Sequence, residues 1–224
     1  MNTFLLLAVL LVPAQQIIAP PLIPAHTEHE KEAVEVSRGS AVHITPIQKL
    51  GHGTGTYVKI DKSFFVITAK HVTRGHDKFF VNTNAGSSIG EKIYEFKNKD
   101  ISVLRVAKIK DVKPIIFDAG CALKIGETVY FSGFPSHYSL MTTRAFISGA
   151  NGKTVKYLQG MAWFGSSGSG IINNKGKLCA VVVAIATEKR GFFVHALESL
   201  NYIHTITMDD ILVIRKAIEE KKSQ

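Results

Sequence analysis

Cysteine is scarce in this chain. Cys121 and Cys179 are alone among 224 residues, which excludes a disulfide framework. They could pair in an oxidising compartment, but Cys121 falls in a loop-like stretch and Cys179 in an apolar, strand-like run, so two free thiols is the preferred reading. Long hydrophobic runs are also missing. The first, from Phe4 to Val12, is far short of the ~20 residues that a membrane-spanning helix needs. Its length suits the core of a secretory signal peptide over residues 1–14, with Val12 and Ala14 placed for cleavage after Ala14. No Lys or Arg precedes it, and extension through Ile17 and Ile18 makes a retained anchor the alternative. Residues 15–32, rich in Pro, Gln and charge, read as a linker. His26 and His29 within it have metal-like spacing, but a tether is the reading adopted.

Absent too is any block of basic residues. The formal charge is +9, from 27 Lys and Arg against 18 Asp and Glu, which by itself would suit an anionic partner. The lysines are scattered and no aromatic-basic signature accompanies them, so a solvated basic surface is expected, with no specific nucleic-acid partner and a membrane only if the N-terminal segment is kept. Nor is there a repeat of fixed period, or helical periodicity through most of the chain. What is present is a series of short β-branched or aromatic runs, among them "AVEVS", "AVHITPI", "GTYVKI", "SFFVITA", "ISVLRVA", "TVYFSGF" and "KLCAVVVAIA". Turn chemistry separates them at Asp61-Lys62, Asn84 to Ser88, Asn151-Gly152 and Asn173 to Gly176. Such a pattern predicts an all-β domain over residues 33–224. A composition shift near "KIKDVKPIIFDAGCALKIGE" divides it into halves at about 33–110 and 126–200. The exception is "TMDDILVIRKAIEEKKSQ", where Ile211, Ile214 and Ile218 at helical spacing, after Asp209 and Asp210, predict a capped helix over about 208–221.

Chemistry is concentrated in "GSSGSGII", residues 165–172. Glycine and serine runs usually mark linkers, yet this one lies between two apolar segments of a packed domain. A rigid turn that holds a hydroxyl and aims N–H groups at one point fits better. A serine nucleophile needs a base, and the base needs an orienting group. His71 follows the apolar "SFFVITAK", and Asp100 opens the apolar "DISVLRVA". His, then Asp, then Ser is the chain order of the two-barrel serine proteases.

"GTGTYVKIDKSFFVITAKHVT", "DISVLRV", "GETVYFSGFP", "GSSGSGII" and "GFFVHAL" together resemble, in order, the trypsin-like serine peptidases. The likeness is nearest their compact HtrA-like and viral or phage branch. The resemblance implies two six-stranded antiparallel β-barrels and a C-terminal α-helix. It implies a serine endopeptidase acting on polypeptides through an acyl-enzyme, with neither cofactor nor metal. Ser167 would be the nucleophile, His71 the base and Asp100 its orienting carboxylate, with the backbone N–H groups of Gly165 and Ser167 as oxyanion hole. It also implies a substrate pocket of Met161, Ala184, Ala186 and Gly191, apolar and narrowed by methyl groups, selecting small to medium apolar residues; Glu188 is the nearby charge that could alter this. His52, His76, His137 and His195 carry no comparable setting. Ser166 stands where zymogen-activated relatives have Asp, so no switch by N-terminal insertion is expected. Ser169-Gly170 stands where many relatives have Gly-Pro. A non-catalytic, protease-like binding protein is the alternative, and a basic β-protein binding nucleic acid or membrane a third.

Overall fold

The structure is a computed structural model that describes residues 27–221 apart from positions 49, 50, 85, 111, 118 and 119. The signal-peptide reading, the possible anchor and His26 lie outside the described residues. Of the sequence read as linker, Glu28 onward is already helix: α1 (Glu28–Ser40) starts at Thr27, which forms a reciprocal capping box with Glu30. "AVEVS", expected as a strand, is the middle of α1. Its two valines suggest β, but the capping box starts the helix and tertiary packing decides, with Ala33, Ser37 and Ser40 buried. Ser37 shares a 2.8 Å hydroxyl hydrogen bond with Ser132, 95 residues away.

The first barrel is built from β1 (Ala41–Pro46), β2 (Gly53–Ile60), β3 (Ser63–Thr68), β4 (Lys78–Thr83), β5 (Gly86–Glu95) and β6 (Ser102–Val106). They lie in the order β1-β4-β5-β6-β3-β2, and β2 pairs back onto β1 to close the ring. A two-residue strand, β7 (Ile115–Ile116), adds in parallel to β2. The second barrel closes as β10-β13-β12-β11-β8-β9, from β8 (Thr128–Gly133), β9 (Met141–Asn151), β10 (Val155–Gln159), β11 (Gly170–Asn173), β12 (Leu178–Arg190) and β13 (Phe193–Thr205). Both are antiparallel, as the sequence predicted, and the second runs to Thr205. Two further helices follow from local chemistry. α2 (Lys70–Thr73) is one turn after β3. α3 (Met208–Glu220) is capped by Thr207 and Asp210 and buries Ile211, Ile214 and Ile218.

The cysteine reading is overturned. Cys121 and Cys179 form a disulfide with Cα atoms 5.1 Å apart, well within bridging range. The segment between the barrels doubles back on α3, where a side chain at Gly120 would strike the backbone of Thr207 and Met208. That close approach sets Cys121 beside β12, a tertiary event that spacing along the chain does not reveal.

Candidate active site

Each half of the fold delivers one side of a cleft of about 300 Å³, lined among others by His71, Ser167, Gly165, His52, Arg74 and Phe164. From Phe65 in β3 to Ala69 the chain is buried, and α2 then turns His71 outward at the strand end. Asp100 precedes β6, the strand paired with β3 in register Thr68↔Ser102. The pairing brings the carboxylate to the imidazole. Asp100 Oδ2 lies 2.6 Å from His71 Nδ1, and Oδ1 accepts the His71 backbone N–H at 2.8 Å. With Nδ1–H given to the carboxylate, Nε2 is the ring nitrogen left to work in the cleft. Burial opposes the charge of Asp100. The hydrogen bond from the His71 ring, the His71 charge, its backbone N–H and the charge of His204 outweigh it, and the carboxyl is held below its ordinary value. Thr73 and Ser102 brace the two elements from below through a buried 2.8 Å hydroxyl contact.

The loop of residues 165–168 answers the question its composition raised. Gly165 (φ +97°) and Gly168 (φ +93°) both lie in the left-handed region. Thr54 N–H, from the first barrel, donates to Ser167 O at 2.8 Å, while Gly168 N–H donates to Val182 O of β12 at 2.8 Å. The Thr54 hydroxyl donates to Gly165 O at 2.7 Å and accepts Phe134 N–H at 3.0 Å. The loop is thus clamped between barrels. Ser136 N–H donates to Phe164 O at 2.6 Å; because a trans peptide is planar, Gly165 N–H points to the opposite side. Among the described residues neither Gly165 N–H nor Ser167 N–H has a protein acceptor, and both residues line the cleft. Ser166 is turned inward, 3% exposed, where its hydroxyl accepts Trp163 N–H at 3.3 Å.

The four residues expected to build the substrate pocket are not gathered into one cavity. Met161 lines an apolar cavity of about 480 Å³ with Phe131, Tyr138, Met141, Trp163 and Ser166, and none of its lining residues is charged. Ala184 is exposed and Ala186 buried on β12, neither lining that cavity. Gly191 sits at the tip of the β12–β13 hairpin with open space about it. It lies nine positions beyond Val182, roughly 30 Å of strand. The part of β13 beside Ile185 is instead Asn201, whose amide reaches Gly160 O. Glu188 is out on the same hairpin, opposite His195.

Three residues of the site were not foreseen. His52 lines the cleft, its Nε2–H donating to Phe134 O at 2.9 Å, with its ring stacked on His43 at 4.7 Å. Thr54 grips the nucleophile loop. His204, on β13, accepts the Asp100 backbone N–H at Nδ1, 2.7 Å away. "GTG" in the sequence could have pointed to Thr54. Nothing local marks His52 or His204, because their partners are 82 and 104 residues distant.

Comparison with known proteins agrees with this fold. Residues 53–181 match the trypsin-like peptidase domain. No curated protein matches the chain. Among solved structures, the HtrA-type protease AlgW with a tripeptide is similar at 19% identity and a TM-score of 0.68, over 86% of this chain and 64% of that one. A serine endoprotease from Yersinia pestis follows at 21% and 0.67, over 88% and 68%. The active form of the Rv3671c protease of M. tuberculosis is similar at 20% and 0.65, over 80% and 81%. The chain therefore spans about two thirds of the length of the first two.

Proposed function

The chain belongs to the trypsin-like peptidase family, and from that premise we propose that it is a serine endopeptidase working through Ser167, His71 and Asp100. The observation that carries the proposal is the Asp100 carboxylate, bonded through both oxygens to His71, with that imidazole lining one cleft with Ser167 and two unpaired N–H groups. Ser167 Oγ attacks the scissile carbonyl, and a C–O bond forms as His71 Nε2 takes the hydroxyl proton. The oxyanion is held by the N–H groups of Gly165 and Ser167. Collapse breaks the C–N bond, and His71 returns the proton to the departing amine. Water, activated by the same imidazole, then releases the acyl group and restores Ser167. Asp100 holds the tautomer and balances the imidazolium. Ser167 Oγ makes no hydrogen bond to the described residues, so its contact with Nε2 is one for bound substrate to draw together.

A polypeptide is the substrate class this chemistry serves, and AlgW, a structural relative, is seen with peptides. Cleavage after small to medium apolar residues is proposed from the uncharged lining of the cavity at Met161, which cannot offset the desolvation of Lys or Arg. Export through the N-terminal segment is proposed with it, supported by the disulfide.

The deciding experiment is labelling by a fluorophosphonate probe. The intact protein should label and Ser167→Ala should not; a protein that folds but does not label is a binding protein, and the proposal fails. A peptide library profiled in parallel should show apolar residues before the cut, and dominant cleavage after Lys or Arg would refute the pocket.

A further inference from the structure

We propose that His204 is a positioning residue of this site: the lone pair on its Nδ1 holds the backbone N–H of Asp100, and so fixes the carboxylate that orients His71. The inference rests on the serine-peptidase reading above, and it adds a second histidine that must stay neutral for the enzyme to work at its full rate.

The contact is direct, 2.7 Å from Asp100 N to His204 Nδ1. It is also the one described acceptor for that N–H. Both carboxylate oxygens of the same residue are engaged by His71, so displacement of the Asp100 backbone carries the imidazole with it. β13 is held at this point on both sides, His204 standing opposite Val155 of β10 and Val181 of β12. Neither neighbour is charged. The charged groups that face the ring are Asp100, Lys99 and Lys70. Lys99 is fixed by Thr205 O and the Asp210 carboxylate, and Lys70 by Phe96 O. Burial disfavours a charged ring; Asp100 opposes that effect and the two lysines add to it, and the net result is a histidine held below its ordinary value. Only the neutral ring with its proton on Nε2 can accept at Nδ1. Protonation would set N–H against N–H and expel the contact. Two imidazoles must therefore be unprotonated, His71 to take the serine proton and His204 to hold Asp100.

The test uses His204→Asn, whose side-chain oxygen can occupy the place of Nδ1, and His204→Leu, which has no acceptor. Labelling rates with a fluorophosphonate are measured against pH for both and for the unaltered protein, with Ser167→Ala as the control. If the unaltered protein does not label, the serine-peptidase reading has failed; if it labels, the variants report on His204 alone. His204→Leu should label about tenfold more slowly on the neutral plateau, the scale of a buried N–H left without a partner. His204→Asn should stay within about threefold of the unaltered protein, since the acceptor is kept. On the acid side the rate should fall more steeply with pH in the unaltered protein than in His204→Asn, whose amide acceptor does not titrate. Equal loss in both variants would reduce His204 to a packing residue. Superposed pH profiles for the unaltered protein and His204→Asn would overturn the proposal even if His204→Leu does not fold.

Discussion

At the residue scale, Gly168 has the least freedom. A Cβ there would run into the Thr54 carbonyl and the Thr68 hydroxyl, on two strands of the other barrel, at a backbone angle that side chains oppose. Gly168→Ala should lower stability by about 2–4 kcal/mol, measured by urea unfolding, because strain and overpacking add at one position. Asp100→Asn is expected to behave differently. The amide keeps the packing but offers His71 a donor where it needs an acceptor, so turnover should fall by about 10⁴ while the melting temperature changes little. His71, Asp100 and Ser167 were legible in the sequence because each adjoins an element with its own signature: the apolar run before His71, the one after Asp100, and glycines around Ser167. His204 was not legible, since what defines it is a bond across 104 residues and its own neighbourhood reads as ordinary strand.

The elements show where local chemistry suffices and where it does not. α3 was foreseen because caps, charge and apolar spacing all agree within its own residues. α1 was not, because its valines argue for a strand and the capping box at Thr27 and Glu30 is a subtler mark. The four residues expected to build the substrate pocket lie apart for a related reason. The length of β12 and β13 is set by their pairing from Ala180↔Thr205 out to Arg190↔Phe193, which carries the Gly191 turn away from the 165–168 loop. The disulfide also belongs to this scale. It ties the inter-barrel segment to β12 across a separation of 58 residues, a loop for which chain entropy assigns about 4 kcal/mol. A Cys121→Ala/Cys179→Ala protein should lose stability of that order in denaturant titration. An unchanged midpoint would show that the bridge contributes nothing.

For the whole molecule, acid should act in two separate windows. His43 is held below its ordinary 6.5 by burial and by His52, and His204 likewise by burial first. The unfolded chain therefore binds protons before the folded one does. The contribution of both residues to stability is complete above about pH 6.5 and declines as pH falls below it. Asp100, held below its ordinary 3.8, contributes above that range and loses its share only as pH falls further, through its lower folded-state value. Melting temperature should thus drop between pH 7 and 5, well before the carboxylates titrate, and a His43→Gln/His204→Asn protein should show a flatter slope in that interval. The division of labour between the barrels has one more result, in time rather than in space. His71 and Asp100 come from the first half of the chain, Ser167 and the clamp at Val182 from the second, and His204 from the last strand of all. A ribosome that has released β1 through β12 has released His71, Asp100 and Ser167, but not yet the ring that holds the Asp100 N–H. Until β13 follows, the second barrel, β10-β13-β12-β11-β8-β9, is not closed.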